Sequence, residues 1–440
     1  MELPTGSVPG NIGHPMARLV MKFGGTSVAD PDRIRRCATR VADRRAEGHH
    51  VAVVVSAMGH TTDELIALAR RLSPSPNRRE LDMLMSTGEQ VSVALMAIAL
   101  QEMGLDAESF TGDQAGIVTD GHYGRAKITT IDRTPLEACL AKGSIPIVAG
   151  FQGRSPRGAI TTLGRGGSDT TAVAVAAAIE VGRFDGHCEI FTDVDGVYTA
   201  DPRVVRNARK LERISYEEML ELAALGAGVM HARAVVFGER YGVPIHVRHS
   251  QKPDLGTVIC KETPDMEEIA VVGCALKEEL GRLTVRRVPN AVGLQARMFE
   301  RVAAAGVVVD DIVQTEFGDM TSVAFTVEHD DLAETQDIMA RLLEELGHGE
   351  LEIDVGLSKV SAVGTGMKSH AGIASRMFQA LARHGIAIHN ISTSEIKVSC
   401  IVPRLDGQRA LQVVHDEFRL GTGGDAPMRV EGQPGVAYAP

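Results

Sequence analysis

Several common architectures are excluded by what the chain does not contain. Its six cysteines, Cys37, Cys139, Cys188, Cys260, Cys274 and Cys400, lie far apart with no paired spacing, so neither a zinc knuckle nor a disulfide framework is signalled. A reducing cytoplasm is the compartment that fits. No apolar run has the length to cross a bilayer, and the first fifteen residues, MELPTGSVPGNIGHP, lack the apolar core of a secretory signal. Positive charge is in deficit, with 46 Lys and Arg against 57 Asp and Glu for a formal charge of -11. A nucleic-acid backbone is therefore not the expected partner, while a locally basic pocket for a small anion is still allowed. The Walker A pattern GxxxxGK[ST] and the protein-kinase signatures HRD and DFG are missing. Any phosphate site is not a P-loop.

What is present points to a modular enzyme. A chain of 440 residues exceeds one ordinary core, and an apolar fraction of 44% with near-zero mean hydropathy suits a globular protein. Residues 1–16 are expected to form a loose tail, and Met16, just before ARLVMKFGG, is an alternative start. From Arg18 to about Val258 short β-branched runs, VAVVVSAMG, IPIVAGFQG, CEIFTDVDG and VPIHV, end in glycine or polar residues. Helical patterns such as PDRIRRCATRVADRRAEG and SDTTAVAVAAAIEVG separate several of them. Alternation of this kind predicts an α/β sandwich with a largely parallel central sheet and a ligand site outside the carboxyl ends of its strands.

The polar residues that follow the strands form a phosphate-and-carboxylate set. RLVMKFGGTSV delivers Lys22 directly into Gly24 and Gly25, with Thr26 and Ser27 behind, where bare backbone can approach an anion. Ser56, Thr62 and Glu89 (in MSTGEQ) come next, then Arg165, Gly166, Ser168 and Asp169 in TTLGRGGSDTT, then Thr192, Asp193, Tyr198 and Arg203 in TDVDGVYTADPR. The glycines of GRGGSD run into a helix whose first turn starts with Ser168 and Asp169, so free N–H groups and the helix dipole face the loop. Arg165 can fork two bonds to a carboxylate there. The run HVRH suggests a metal pair, but His246 and His249, three apart on a strand, point to opposite faces, and no metal site is expected.

Beyond Val258 the composition changes and a repeat appears. Gly293, Arg297, Met298, Phe299, Gly306 and Ile312 recur as Gly372, Arg376, Met377, Phe378, Gly385 and Ile391, each shifted by 79 residues. Strand, glycine loop, amphipathic helix and second strand make half of a ferredoxin-like βαββαβ unit. Such a pair serves as a dimerisation domain or as a ligand sensor.

KFGGTS, SAMGHTTDEL, STGE, TTLGRGGSDTTA and TDVDGVYTADPR, in this order and at these separations, resemble the aspartate kinases, amino-acid kinase family enzymes that end in two ACT domains. The resemblance runs from about Ala17 to about Gly421. It implies an amino-acid kinase three-layer αβα sandwich over 17–258, ACT modules over 270–350 and 355–421, and a flexible tail over 422–440. It also implies phosphorylation of the L-aspartate side chain by ATP, with Mg²⁺ delivered by the nucleotide, on the route to lysine, threonine and methionine.

Residue by residue, Lys22 matches the family's phosphoryl-gripping lysine, and Gly24 and Gly25 match its phosphate loop. Ser56, Thr62, Glu89, Arg165, Gly166, Ser168 and Asp169 fall where the family binds aspartate, with Glu89 on the ammonium and Arg165 on a carboxylate. Lys22, Arg165 and Asp169 are the implied catalytic set. Thr192, Asp193, Tyr198 and Arg203 match the nucleotide-binding loop. Gln251, beside Lys252, stands where some members carry a second lysine, and Gly228 replaces a lysine common in the family. In the first repeat Asn290 replaces the usual carboxylate of the effector loop; Gln314, and Ser369, Ser394 and Glu395 in the second repeat, keep the effector pattern. Lysine or threonine is the implied effector, in a homo-oligomer, with Met266 placed where an internal start would make a small subunit. The competing readings are a catalytically weak ACT-type sensor or regulatory subunit, and a kinase for a related carboxylate such as glutamate.

Overall fold

A computed structural model describes residues 17–225, 229–261, 270–370 and 372–422, apart from the side chains of 368 and 369. Residues 1–16, Gly228, Met266, the side chain of Ser369 and the C-terminal tail thus lie outside what is described. The chain divides into two compact units. The first holds residues up to Val197, Leu211–Met219 and Val229–Thr263; the second holds Tyr198–Lys210, Leu220–Gly228 and everything from Pro264 on.

In the first unit the strands are β1 (Arg18–Phe23), β2 (His50–Val55), β3 (Ala107–Phe110), β4 (Ile117–Thr119), β5 (Ile128–Ile131), β6 (Ile145–Ala149), β7 (Gln152–Arg154), β8 (Ile160–Thr162), β9 (His187–Thr192), β10 (Arg213–Ser215), β11 (Ile245–His249) and β12 (Thr257–Cys260). The helices are α1 (Pro31–Ala46), α2 (Thr61–Leu72), α3 (Arg78–Glu102), α4 (Thr134–Ala141), α5 (Gly167–Ala178), α6 (Tyr216–Ala224), which begins in this unit, and α7 (Ala232–Tyr241). Eight strands form one sheet in the order β10-β12-β11-β9-β1-β2-β6-β3. Its pairs are parallel except β11 with β12. This is the sandwich that the alternation predicts. A second sheet, β5-β4-β7-β8, was not legible, because its strands are only three or four residues long.

Local chemistry explains the boundaries. Asp30 caps α1 by accepting the Arg33 N–H at 2.8 Å, and Pro31 opens the helix. VPIHV starts its strand two residues late, at Ile245, because Val243 is spent ending α7: its N–H donates to the Gly238 carbonyl around Gly242, which has φ 63°. Along β1 the pleat sends Leu19, Met21 and Phe23 into a core with Ile34, Cys37 and Val41 of α1 and Val93, Met96 and Leu100 of α3. The opposite face packs α5 against β1, β2 and β9. Among the described residues α3 is the one helix that meets the length and composition of a membrane span, yet half of its apolar window is buried in this core.

The second unit carries the repeat. It is built from β13 (Gly273–Pro289), α8 (Leu294–Ala304), β14 (Asp310–Phe317), β15 (Met320–Glu328), α9 (Leu332–Leu346), β16 (Glu350–Val363), α10 (Ile373–Arg383), β17 (Asn390–Thr393), β18 (Lys397–Pro403) and α11 (Gly407–Glu417). Gly293 and Gly372, the matched repeat glycines, have φ 91° and 94° as the residues before α8 and α10, a backbone that favours glycine. All six strands form one antiparallel sheet, β14-β15-β13-β16-β18-β17. The modules share their long strands. Gly273–Lys277 of β13 pairs with Lys359–Val363 of β16, and Ala270, Val271 and Cys274 pack with Val360, Met377 and Leu381 of the second repeat. The second module therefore takes its closing strand from Gly273–Lys277, which falls within the span 270–350 expected for the first.

Candidate active site

Strand order reverses at β1, which has β2 on one side and β9 on the other. A crevice opens at such a switch point, beyond the carboxyl ends of the strands. Since Met21 and Phe23 face α1, Lys22 faces α5. It is 7% exposed, and its Nζ lies 2.6 Å from Asp169 Oδ1 in the first turn of α5. The buried amine is thereby held and oriented where β1 meets a helix N-terminus.

Glycines set this approach. A Cβ on Gly150, at the end of β6, would lie 2.7 Å from that of Ser168. Gly166 precedes α5 with φ 68°, and a Cβ there would meet the His231 ring at 2.3 Å. The turn after β1 is equally tight: the Gly24 N–H donates to the Phe191 carbonyl, and a Cβ on Gly25 would meet the Ala57 carbonyl oxygen at 2.8 Å.

The wall beyond β2 comes from α3. Gly88 is the residue that lets the helix close on the loop, since a Cβ there would come within 2.8 Å of the Ala57 Cβ. Next to it Glu89 is 3% exposed; its Oε1 accepts the Ala57 N–H at 3.1 Å, and its Oε2 is buried with no partner among the described residues. Burial pushes its carboxyl up to about 7, against the Ala57 hydrogen bond. Ser56, whose N–H donates to the Phe23 carbonyl, and Thr62, in the first turn of α2, are half-buried.

At the end of β9 the Thr192 hydroxyl donates to the exposed Asp193 carboxylate at 3.1 Å. Lys252 Nζ stands 3.6 Å from Asp195 in the same loop. Arg165 is exposed on the loop before α5. The predicted set is thus gathered around β1, β2, α3 and α5, with two exceptions. Tyr198 and Arg203 belong to the excursion Tyr198–Lys210 of the second unit, where Val205 and Ala208 join that unit's core; the exposed Arg203 forks onto Asp201, Nη2 to Oδ2 at 2.6 Å.

Asp82 and His231 were missed. Asp82, two turns before Glu89, reads as part of the charged start of α3, yet it is 1% exposed. It accepts the N–H groups of Gly124 and Thr162, each at 2.9 Å, and the Thr162 hydroxyl at 2.8 Å, tying α3 to the small sheet. The i, i+7 spacing of Asp82 and Glu89 was the available signal. His231, half-buried under Gly166, caps α7; burial and then Arg233 lower its pKa. Nothing local in the sequence singles it out.

Among the described residues, the expected effector side chains do not converge within one chain. Asn290 is exposed after β13, and exposed Gln314 on β14 accepts from Gln295 Nε2 at 2.7 Å. Ser394 and Glu395 form the β17–β18 turn. β14 and β17 are opposite edges of the sheet.

The amino acid kinase family matches residues 17–249, and an ACT domain matches 360–418. The chain is 47% identical over 405 residues to Aspartokinase 2 of Bacillus subtilis (strain 168), covering 92% of this chain and 98% of the relative. It is 47% identical over 408 residues to an aspartokinase of Thermus thermophilus, covering 92% and 99%. The fold resembles E. coli aspartokinase III in complex with aspartate and ADP, with TM-score 0.77, 28% identity and coverage of 91% and 99%. It also resembles the same enzyme in complex with lysine and aspartate, with TM-score 0.71, 27% identity and coverage of 90% and 98%. With the strand-end motifs, the Lys22–Asp169 pair and relatives matched over nearly their whole length, the chain belongs to the amino acid kinase family, and within it to the aspartokinases.

Proposed function

We propose that the chain transfers the γ-phosphoryl group of ATP to the side-chain carboxylate of L-aspartate, giving 4-phospho-L-aspartate and ADP. The observation that carries this is the buried Lys22–Asp169 pair at the N-terminus of α5, supported by relatives named for this activity. Phosphoryl transfer needs positioning and neutralisation more than covalent help. Lys22 exchanges Asp169 for the phosphoryl oxygens, and the amides of Gly25 and of the first turn of α5 meet the remaining charge. The unpartnered Glu89 Oε2 takes the substrate ammonium, and Arg165 forks onto its α-carboxylate beside Gly166 and Ser168. Ser56 and Thr62 supply hydroxyls, and Thr192 and Asp193 contact the nucleotide. Mg²⁺ enters as part of the nucleotide substrate, and the oxygen-only groups at the strand ends suit such a hard cation. A coupled assay of ATP consumption with aspartate, glutamate and acetylglutamate tests the assignment; turnover with either rival and not with aspartate overturns it.

The second unit is read as the sensor of lysine or threonine, in line with the lysine complex of E. coli aspartokinase III. Because the effector residues lie on opposite sheet edges, a complete site requires a second copy of the chain. Strand β14 exposes Ile312, Val313 and Phe317, which suits pairing across that edge. Analytical ultracentrifugation should show a homo-oligomer that Phe317→Glu weakens, and calorimetry on the full chain should show lysine or threonine binding. A monomer that binds neither would reduce this unit to a scaffold.

A further inference from the structure

Three side chains away from the kinase site share one face of the sheet. His187 and Glu189, two apart on β9, point the same way, and His246 on β11 stands directly opposite Glu189 in the parallel register. One donor atom from each of the three lies within 4.8 Å of the others. The rings of His187 and His246 sit 5.7 Å apart at 60°.

The hydrogen bonds leave this cluster unfinished. Glu189 is fully buried, and its Oε1 takes Arg44 Nη2 at 2.8 Å and Arg248 Nη1 at 2.7 Å, while its Oε2 has no partner among the described residues. His187 Nε2 is also buried without a hydrogen bond to any described residue, 3.6 Å from Glu189 Oε1. The His246 Nε2–H donates to the Leu255 carbonyl, so its Nδ1 carries the lone pair. Orphaned buried polar atoms cost free energy, and two of them converge here.

We propose that His187, Glu189 and His246 bind one divalent transition-metal ion of the zinc class, which ties β9 to β11. Two imidazoles and one carboxylate oxygen are a zinc donor set, whereas magnesium prefers oxygen alone. Glu189 coordinates through Oε2, and Arg44 and Arg248, sharing Oε1, orient it from behind. The Leu255 carbonyl fixes the tautomer and ring plane of His246 in the same manner. His187 is about one-third exposed in its side chain (32%) and provides the entry path. The two guanidiniums repel the ion, so binding in the micromolar range is expected rather than the tight binding of a closed structural site.

Full-length protein stripped with chelator is titrated with Co²⁺ alone, followed by visible absorption, then with Zn²⁺ in competition, with melting curves recorded alongside. One equivalent of Co²⁺ displaced by Zn²⁺, a melting temperature raised by Zn²⁺ and unmoved by Mg²⁺, and at least about tenfold weaker binding in both His187→Ala and His246→Gln are the expected results. His187 is the safer variant for folding, and circular dichroism confirms the fold of each. Absence of binding to the unsubstituted chain, or an affinity in either variant that matches the unsubstituted chain, overturns the site.

Discussion

Glu89 and Glu189 are both buried carboxylates, 3% and 0% exposed, yet their surroundings drive them apart. Glu89 meets one backbone N–H and no cation, and burial lifts it to about 7. For Glu189 burial acts in the same upward direction, but His187 and Arg44, with Arg248 bonded to the same oxygen, outweigh it and hold the group well below the usual range. Burial therefore does not separate a functional carboxylate from a structural one; the local charge balance does. A raised carboxyl with an unpartnered oxygen, in a crevice at strand ends, is a receptor for a cation that arrives with substrate. A depressed one between guanidiniums holds the scaffold. Their pH dependences differ in sign. The contribution of Glu189 is present above the ordinary 4.5 and is lost as pH falls below it, whereas Glu89 favours the fold below 4.5 and burdens it as pH rises towards about 7.

The sharpest break comes from removing each charge. Glu189→Gln strands Arg44 and Arg248 without their shared partner and should cost about 3–5 kcal/mol of unfolding free energy. Glu89→Gln should leave stability at pH 8 unchanged or higher, because it removes a charge that the fold disfavours. Denaturant melts of the two variants decide it, and equal losses would erase the distinction.

The kinase site itself comes next. Lys22→Ala should lower kcat at least about 10²-fold, roughly 2.7 kcal/mol, while nucleotide binding changes less, because its charge is used most in the transition state. Near-normal turnover would remove Lys22 from the chemistry. A third and smaller effect isolates the cation receptor: Glu89→Gln should raise the aspartate KM by about 10–100-fold through loss of a charge-assisted bond, with the ATP KM nearly unmoved. A rise in the ATP value instead would place Glu89 in the nucleotide pocket.

These contrasts also mark how much the sequence could reveal. Lys22 on β1 and Asp169 in the first turn of α5 were legible as candidates because lysine or acid beside glycines at the end of a β-branched run or the start of a helix has a local cause, whereas Glu89, inside α3, was singled out only by the STG before it. The large sheet followed from the same alternation. What escaped depends on tertiary neighbours. Asp82 looks like a solvated charge until its partners Gly124 and Thr162, more than forty residues away in the chain, close over it. His246 was weighed against His249 on its own strand, whereas its neighbours on that face are His187 and Glu189 from another strand. The closing strand of the second module could not be read from the repeat, since Gly273–Lys277 lies ahead of the matched positions, which start at Gly293, and was counted within the first module.

The finest test uses protons instead of substitutions. If Glu89 must be ionised to hold the substrate ammonium, and its carboxyl in the empty site titrates at about 7, aspartate competes with a proton for it. The apparent dissociation constant then scales with one plus the ratio of proton concentration to the acid constant. Between pH 6 and pH 8 that factor falls by about tenfold, a shift of roughly 1.4 kcal/mol in binding. Aspartate binding should therefore tighten as pH rises and level off above about 7.5. Below the midpoint it should release close to one proton per ligand, visible as a buffer-dependent heat in calorimetry. Glu89→Gln, which has no proton to lose, should bind weakly and show neither the slope nor the released proton. A flat profile in the unsubstituted protein would mean that Glu89 is already ionised in the empty site. The contrast with Glu189 would then be one of position and not of charge.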